Sequence, residues 1–365
     1  MRIAVVHHIR WSDYAEYLSS LINGQALQND YAIKVWSYSV PASQQLIPQD
    51  AVVYIIMEAN SQFAVKWWYN VKLPAILKKI KAGVVLDLNG IASKKINIPE
   101  VIALSQEFFL DMKQTARKKF ARKQSGQSVT YAGKALLYSN DKTSFLKKDS
   151  IEQNKIEVIP FTPPAAFRTF EWHEKIMVKA QQADNKEYFI AVLEDEAEEN
   201  FITLLKAFTK FKTWQQSSMQ LLILPKYESF SNNIRQKHET YKYKEDVRLL
   251  EDLEETQIAS VLASAYAMVL MWTTLPDLVV LTAALQCSLP VISPNDNDVK
   301  EYAGDAALYL HDKSIENLSD ALIRLYKDEN LHEQLKEACN KRSALLNRYE
   351  YENRLWKLLQ TAAYS

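Results

Sequence analysis

The sequence predicts an α/β protein built of two tandem domains, each with a parallel sheet covered by helices. Three observations predict it. Short apolar runs alternate with longer stretches of helical period along most of the chain, which is the pattern of buried strands joined by crossover helices. At 365 residues the chain is about twice the size of an ordinary single domain. The segment PFTPPAAFR, residues 160–168, interrupts the alternation with three prolines in five residues. Proline removes an amide donor and fixes φ, so neither helix nor sheet continues through it, and a domain boundary is expected there.

In order along the first half, strands are expected at residues 3–7, 32–37, 52–57, 84–88, 101–104, 135–138 and 156–159, with helices between several of them, such as 14–28 and 106–123. Beyond the prolines, strands are expected at 188–193, 220–224, 247–249, 267–271, 289–293 and 307–309. Helices at 199–214, 255–263, 277–287 and 315–327 fall between them. The stretch 330–361 reads as helical throughout, with Leu331, Leu335, Leu345, Leu346, Leu355 and Leu358 as its apolar stripe.

Composition narrows the function classes. The 44 basic and 44 acidic residues cancel, so there is no global field to draw in nucleic acid or an anionic membrane, and no nucleic-acid partner is expected. The two cysteines, Cys287 and Cys339, lie in apolar helical patterns, which fits a reducing cytoplasm better than a disulfide framework. The apolar run near the N-terminus is too short for a secretion signal, and no run approaches membrane-spanning length. A cytoplasmic protein is expected. The six histidines show no metal-ligand spacing, and no metal site is expected. Six glycines in 365 residues is far below the usual ~7 %. A protein that cradles phosphate with its main chain normally needs glycine where the ligand touches.

Two segments, EYFIAVLEDEAEENFITLLKAFTKFK (residues 187–212) and LPVISPNDNDVKEYAGDAALYL (residues 289–310), resemble the C-terminal domain of family 4 glycosyltransferases of the GT-B fold. The strand at 289–292 stands where members have the strand after the donor-site helix. Glu301 stands where they carry a Pro-Glu pair, and residues 303–309 match a Gly-Asp-Ala-Ala segment. The resemblance covers most of the chain and implies two facing Rossmann-like domains with a C-terminal helix returning to the first. Domain limits follow: 1–163 on the acceptor side, 164–345 on the nucleotide-sugar side, and 346–365 for the returning helix.

The same resemblance exposes what is missing. Members hold a nucleotide-sugar donor with the amides of a glycine-rich loop, a basic side chain on the diphosphate and a carboxylate on the ribose. Their signature is a serine followed by two glutamates around a Gly-Phe-Gly turn. Aligned without gaps, it falls on WTTLPDLVVLTA, so that the serine becomes Trp272, the first glutamate Leu275 and the second Ala283, and the glycines become Pro276 and Leu278. An Arg-Lys-Asn triplet of the family becomes Glu198, Glu199 and Asn200. A lysine ~4 Å from a diphosphate is worth roughly 4 kcal/mol per charge pair at an effective dielectric of ~20, before screening. Glutamate reverses that sign, although acids in a first helical turn suit the helix dipole. Losing the ribose carboxylate removes charge-assisted hydrogen bonds of about 1.5 to 3 kcal/mol. Together these changes predict donor affinity weakened by roughly three powers of ten or more.

Other candidates stand beside plainer readings. His7 and His8 end the first strand, at the edge where open α/β sheets bind ligands; they are either a general base or polar residues closing a strand. Asp277 is a displaced carboxylate or part of a helix start with Thr274 as the cap. Asn295 and its polar neighbours 296–298 line a ligand cleft or turn the chain into the next helix, and Glu301 is a further cleft candidate. The WWY cluster, residues 67–69, is core or a sugar-stacking surface. The run KQTARKKFARKQ, with its cations from Lys113 to Lys123, is a solvated face or a peripheral membrane-docking helix.

The expected function is that of a glycosyltransferase-like protein with an impaired donor site and no catalytic residue to name. It would be kept to bind a glycan or lipid-linked acceptor, or to pair with an active glycosyltransferase in polysaccharide synthesis. Two alternatives stay open: a working retaining hexosyltransferase with an atypical pocket, for which the nucleotide sugar is the donor and no other cofactor is implied, and a non-enzymatic interaction module.

Overall fold

The structure is a computed structural model. It describes the whole chain apart from residues 9–12, 37–50, 58–60, 106–126, 141, 143–152, 194–197, 227–228, 272–276 and 365, and apart from the side chains of His8, Trp36, Gln62 and Gln153. The chain divides into two compact units, Met1–Phe161 with Arg348–Ser365, and Thr162–Asn347.

The first unit contains β1 (Arg2–His8), α1 (Asp13–Gln28), β2 (Ile33–Trp36), β3 (Ala51–Met57), α2 (Gln62–Trp67), α3 (Leu73–Ile80), β4 (Val84–Asp87), β5 (Glu100–Ala103), β6 (Lys134–Leu137) and β7 (Ile156–Val158). Its seven strands are all parallel, in the order β2-β3-β1-β4-β5-β6-β7. One turn of π-helix, Trp68–Lys72, joins α2 to α3. Trp68, Tyr69, Leu73, Ile76, Leu77 and Ile80 pack as one face against Ala4, Val6, Val53 and Ile55 of the sheet. The WWY cluster therefore divides: Trp68 and Tyr69 are core, and Trp67 remains partly exposed beneath Lys72, whose ammonium lies 5.4 Å from its ring centroid.

The second unit contains α4 (Trp172–Gln182), β8 (Tyr188–Leu193), α5 (Glu198–Gln215), β9 (Gln220–Pro225), α6 (Asn232–Glu239), β10 (Val247–Leu249), α7 (Glu255–Ser264), β11 (Ala267–Leu270), α8 (Leu278–Gln286), β12 (Val291–Pro294), α9 (Asn297–Ala303), β13 (Ala307–Leu310), α10 (Ile315–Lys327) and α11 (Glu329–Ser343). Its six strands are parallel in the order β10-β9-β8-β11-β12-β13. Every residue of β8 and β11 is buried, as expected for central strands with helices on both faces. That double burial is why these strands read as unbroken apolar runs in the sequence. Both cysteines are free and buried, Cys339 donating to the Leu289 carbonyl at 3.3 Å.

The terminal stretch departs from its expectation. It is two helices, α11 and α12 (Arg348–Tyr364), and residues 344–347 between them are not helical. No glycine or proline marks the break; it falls where the chain leaves the second unit for the first, and Leu345 there is exposed instead of joining the apolar stripe. α12 returns to the first unit and packs on α1. Arg348 Nη2 donates to Ser20 Oγ at 2.9 Å, and its Nε lies 3.0 Å from Glu352 Oε1. Gly24 is what allows the approach, because a Cβ there would stand 2.8 Å from that same carboxylate oxygen.

Candidate functional site

In open parallel sheets a ligand binds at the carboxyl ends of the strands, where successive connections leave toward opposite sides. The strand orders place that switch point between β1 and β4 in the first sheet and between β8 and β11 in the second.

Three of the six predicted donor-side positions, Glu198, Glu199 and Asn200, follow β8 at the second switch point. Leu193 ends β8, and α5 begins with Glu198, Glu199 and Asn200. Glu198 pairs with Lys237 of α6 at 3.0 Å, Glu199 is exposed, and Asn200 is buried. Asn200 Nδ2 has no hydrogen-bond partner among the described residues. Trp272 and Leu275 lie outside the described residues. Ala283 is 3 % exposed on the inner face of α8, where the family pattern asks for a glutamate.

Asp277 is where structure and sequence reading part. Thr274, the expected cap, is outside the described residues; Asp277 itself is the N-cap of α8, and its Oδ1 accepts from the Val280 amide at 3.1 Å. A short carboxylate on the residue just before the first turn reaches that otherwise unpaired N–H. The other oxygen, Oδ2, lies 3.6 Å from Lys226 Nζ. Lys226 was missed by sequence reasoning, though a signal exists: it follows the apolar strand LLILP directly, the point in a parallel sheet where a charge is most often functional.

Asn295 and Glu301 sit beyond the next strand, β12. Asn295 is exposed, and the turn reading holds for its neighbour Asp296, which caps α9 by accepting from the Asp298 amide at 2.8 Å. Glu301 lies within α9, and its carbonyl accepts from Arg342 Nη2 while Arg342 Nε donates to the Tyr302 carbonyl at 2.8 Å. That pairing ties α9 to α11.

At the first switch point His7 is 5 % exposed, edge-on to Tyr54 of β3 with ring centroids 5.9 Å apart. The side chain of His8 is outside the described residues. Here too the sequence reading missed a cluster. Asp87, at the end of β4, is fully buried, with Oδ2 accepting from Tyr69 Oη at 2.6 Å and Oδ1 from the amides of Asn89 and Ile91 at 2.9 and 3.0 Å. Burial pushes its carboxyl up to about 7 against those hydrogen bonds. Glu100, opening β5, accepts from the Ser93 amide at 3.2 Å with both oxygens, and burial, reinforced by Asp87, pushes it up to about 8. The signal was an acid inside the apolar run VVLDL.

Among the described residues no group of three or more His, Cys, Asp or Glu could hold a metal ion, and no helix is long and apolar enough to cross a membrane. The basic run from Lys113 to Lys123 lies outside the described residues.

With this geometry in place, residues 173–342 match the family described as glycosyl transferases group 1. That match covers most of the second unit. The whole chain has the GT-B fold. Among solved structures it is similar to sucrose-phosphate synthase from Thermosynechococcus elongatus, at 14 % identity with all of both chains covered and a TM-score of 0.75. WaaG, a glycosyltransferase involved in lipopolysaccharide biosynthesis, matches at 10 % identity over 98 % of this chain and 99 % of its own, with a TM-score of 0.69. Anabaena HepE in complex with UDP and glucose matches at 11 % identity over 99 % of this chain and 100 % of its own, with a TM-score of 0.71. At these identities the likeness establishes the fold. No curated protein matches the sequence at a significant level.

Proposed function

We propose that this glycosyltransferase-fold protein is catalytically impaired on its nucleotide-sugar side and acts by binding a glycan acceptor or by pairing with an active transferase in polysaccharide synthesis. One observation carries the reading: the charge at the switch point of the second sheet. The connection from β8 into α5 carries Glu194, Asp195, Glu196, Glu198 and Glu199 within six residues. Among the described residues, Lys237 lies 3.0 Å from Glu198 and Lys226 3.6 Å from Asp277. That connection holds five acids and no lysine or arginine to offset the charge of a diphosphate, where a lysine ~4 Å away would contribute roughly 4 kcal/mol. Backbone cradling is weak as well, since no glycine occurs in residues 194–200 or 271–278.

The neighbours support the glycan half of the proposal: HepE is described with UDP and glucose, and WaaG with lipopolysaccharide biosynthesis. A cytoplasmic site of action, with peripheral membrane contact through the basic run from Lys113 to Lys123, fits a lipid-linked acceptor. Calorimetric titration of the pure protein with UDP, GDP and their common sugars tests the reading. No nucleotide binding below millimolar concentration, together with binding of an oligosaccharide or co-purification of a transferase, is expected. Micromolar binding of any nucleotide sugar, with turnover, would instead establish the rival, a retaining transferase with an atypical donor pocket.

A further inference from the structure

The amino-terminal edge of the first sheet, opposite its switch point, holds a cavity of about 210 Å³. Its floor is the start of β1 and of β3, and its walls include Tyr31, just before β2, and Trp356, Gln360 and Tyr364 of α12. A strand rises about 3.3 Å per residue, so the cavity at Ile3 lies roughly 16 Å along β1 from His8. The three residues of α12 recur at every fourth position, which sets them in one row along the helix, an amide between two aromatic rings. Tyr31 packs on Trp356 with ring centroids 4.9 Å apart and fixes the inner ring, which is 7 % exposed. Tyr364, at the outer end of the row, is 80 % exposed.

We propose that this cavity is a binding subsite for one neutral pyranose ring of a glycan, on the far side of the first unit from the ligand-binding edge of its sheet. None of the lining residues carries a charged side chain, so the walls favour a neutral ligand over a phosphate or a carboxylate. Lined by aliphatic groups alone, such a space would be a dry packing void. Here the Gln360 amide, which both donates and accepts, and two tyrosine hydroxyls supply partners for a hydroxylated ligand. The rings beside those groups give the C–H face of a sugar an apolar surface to cover. The volume is below the roughly 300–1,000 Å³ of pockets that take drug-sized molecules, which suits a single ring. Such a subsite tethers a glycan to the protein without placing it at the switch point.

Saturation-transfer NMR and calorimetric titration with glucose, N-acetylglucosamine, glucuronate and indole test the proposal on the full chain. The variants are Gln360→Ala, Tyr364→Ala, the two combined, and Trp172→Ala, which removes a comparably exposed ring from the second unit. Wild type is expected to bind glucose or N-acetylglucosamine with a Kd on the order of 1 mM. Each single variant at the cavity is expected to weaken that binding about threefold to tenfold, the range of one neutral hydrogen bond or one ring contact. The double variant is expected to abolish it, and Trp172→Ala to leave it unchanged. No binding of either neutral sugar, a preference for glucuronate or indole, an equal loss in Trp172→Ala, or binding that survives the double variant overturns the proposal. The subsite goes beyond the proposed function and does not depend on it. Turnover of a nucleotide sugar would refute that function without touching the subsite, whereas sugar binding that survives the double variant refutes the subsite and leaves the acceptor reading standing.

Discussion

At the switch point of the first sheet Asp87 is fully buried, and a tyrosine hydroxyl and two backbone amides satisfy its oxygens. At that of the second sheet Asp277 keeps one oxygen for a helix cap and meets a lysine with the other, where water still reaches both side chains. The same topology thus handles an acid at the same kind of position in two ways. In the first unit low polarity raises the carboxyl toward neutrality and hydrogen bonds compensate it. In the second, a lysine lies beside the carboxylate instead. The first arrangement braces the irregular segment after β4; the second caps the start of α8.

The largest break in this comparison comes from the buried helix face of the second unit. Ala283→Glu, the residue the family resemblance implies at this position, puts a carboxylate at a 3 % exposed site. It is expected to destabilise the second unit by about 3 kcal/mol or more, lowering its melting midpoint by roughly 6–12 °C in calorimetry. An unchanged midpoint would mean that the interior there accepts charge as readily as the exposed edge does.

The next effect belongs to the first unit and reads pH. Asp87 rises from 3.8 to about 7 and Glu100 from 4.5 to about 8 in the folded chain. A raised carboxyl is protonated more readily when folded, so its stabilising contribution is complete below the unfolded value and is lost as pH climbs through the folded one. Stability of the first unit is therefore expected to fall between pH 4 and 8, with a limiting slope of about 1.4 kcal/mol per pH unit per group. Asp87→Asn should flatten part of that slope in denaturant titrations at several pH values. An equal slope in the variant would show that Asp87 takes up no extra proton on folding across that range.

The smallest effect separates cap from counter-ion. Asp277→Ala should cost about 1 kcal/mol through the lost cap, whereas Asp277→Asn should cost only a few tenths. If Asn costs as much as Ala, the ion pair rather than the cap holds the start of α8, and the contrast with the hydrogen-bonded Asp87 would sharpen.

Much of this could be read before any coordinates. The run YFIAVL is an inner strand because nothing in it tolerates water, and the prolines at 160–164 separate the units because none of them can extend a helix or a ladder. An erosion of the donor site at Leu275, Ala283, Glu198 and Glu199 is an expectation that the family resemblance alone carries. Less legible were contacts between distant residues. Lys226 and Asp277 are fifty-one positions apart in the numbering, and only the order β9-β8-β11 brings them together. Tyr69 and Asp87 meet in the same indirect way.

The sequence by itself determined the alternation of elements and the parallel sheets, because these follow from local periodicity and from which runs are wholly apolar. Tertiary structure alone decided the break between α11 and α12, which no local residue requires, the acids beside β4 whose carboxyls burial raises, and the approach of Lys226 to Asp277. Each of those depends on a burial or a charge–charge distance, and neither quantity exists until the chain has folded back on itself.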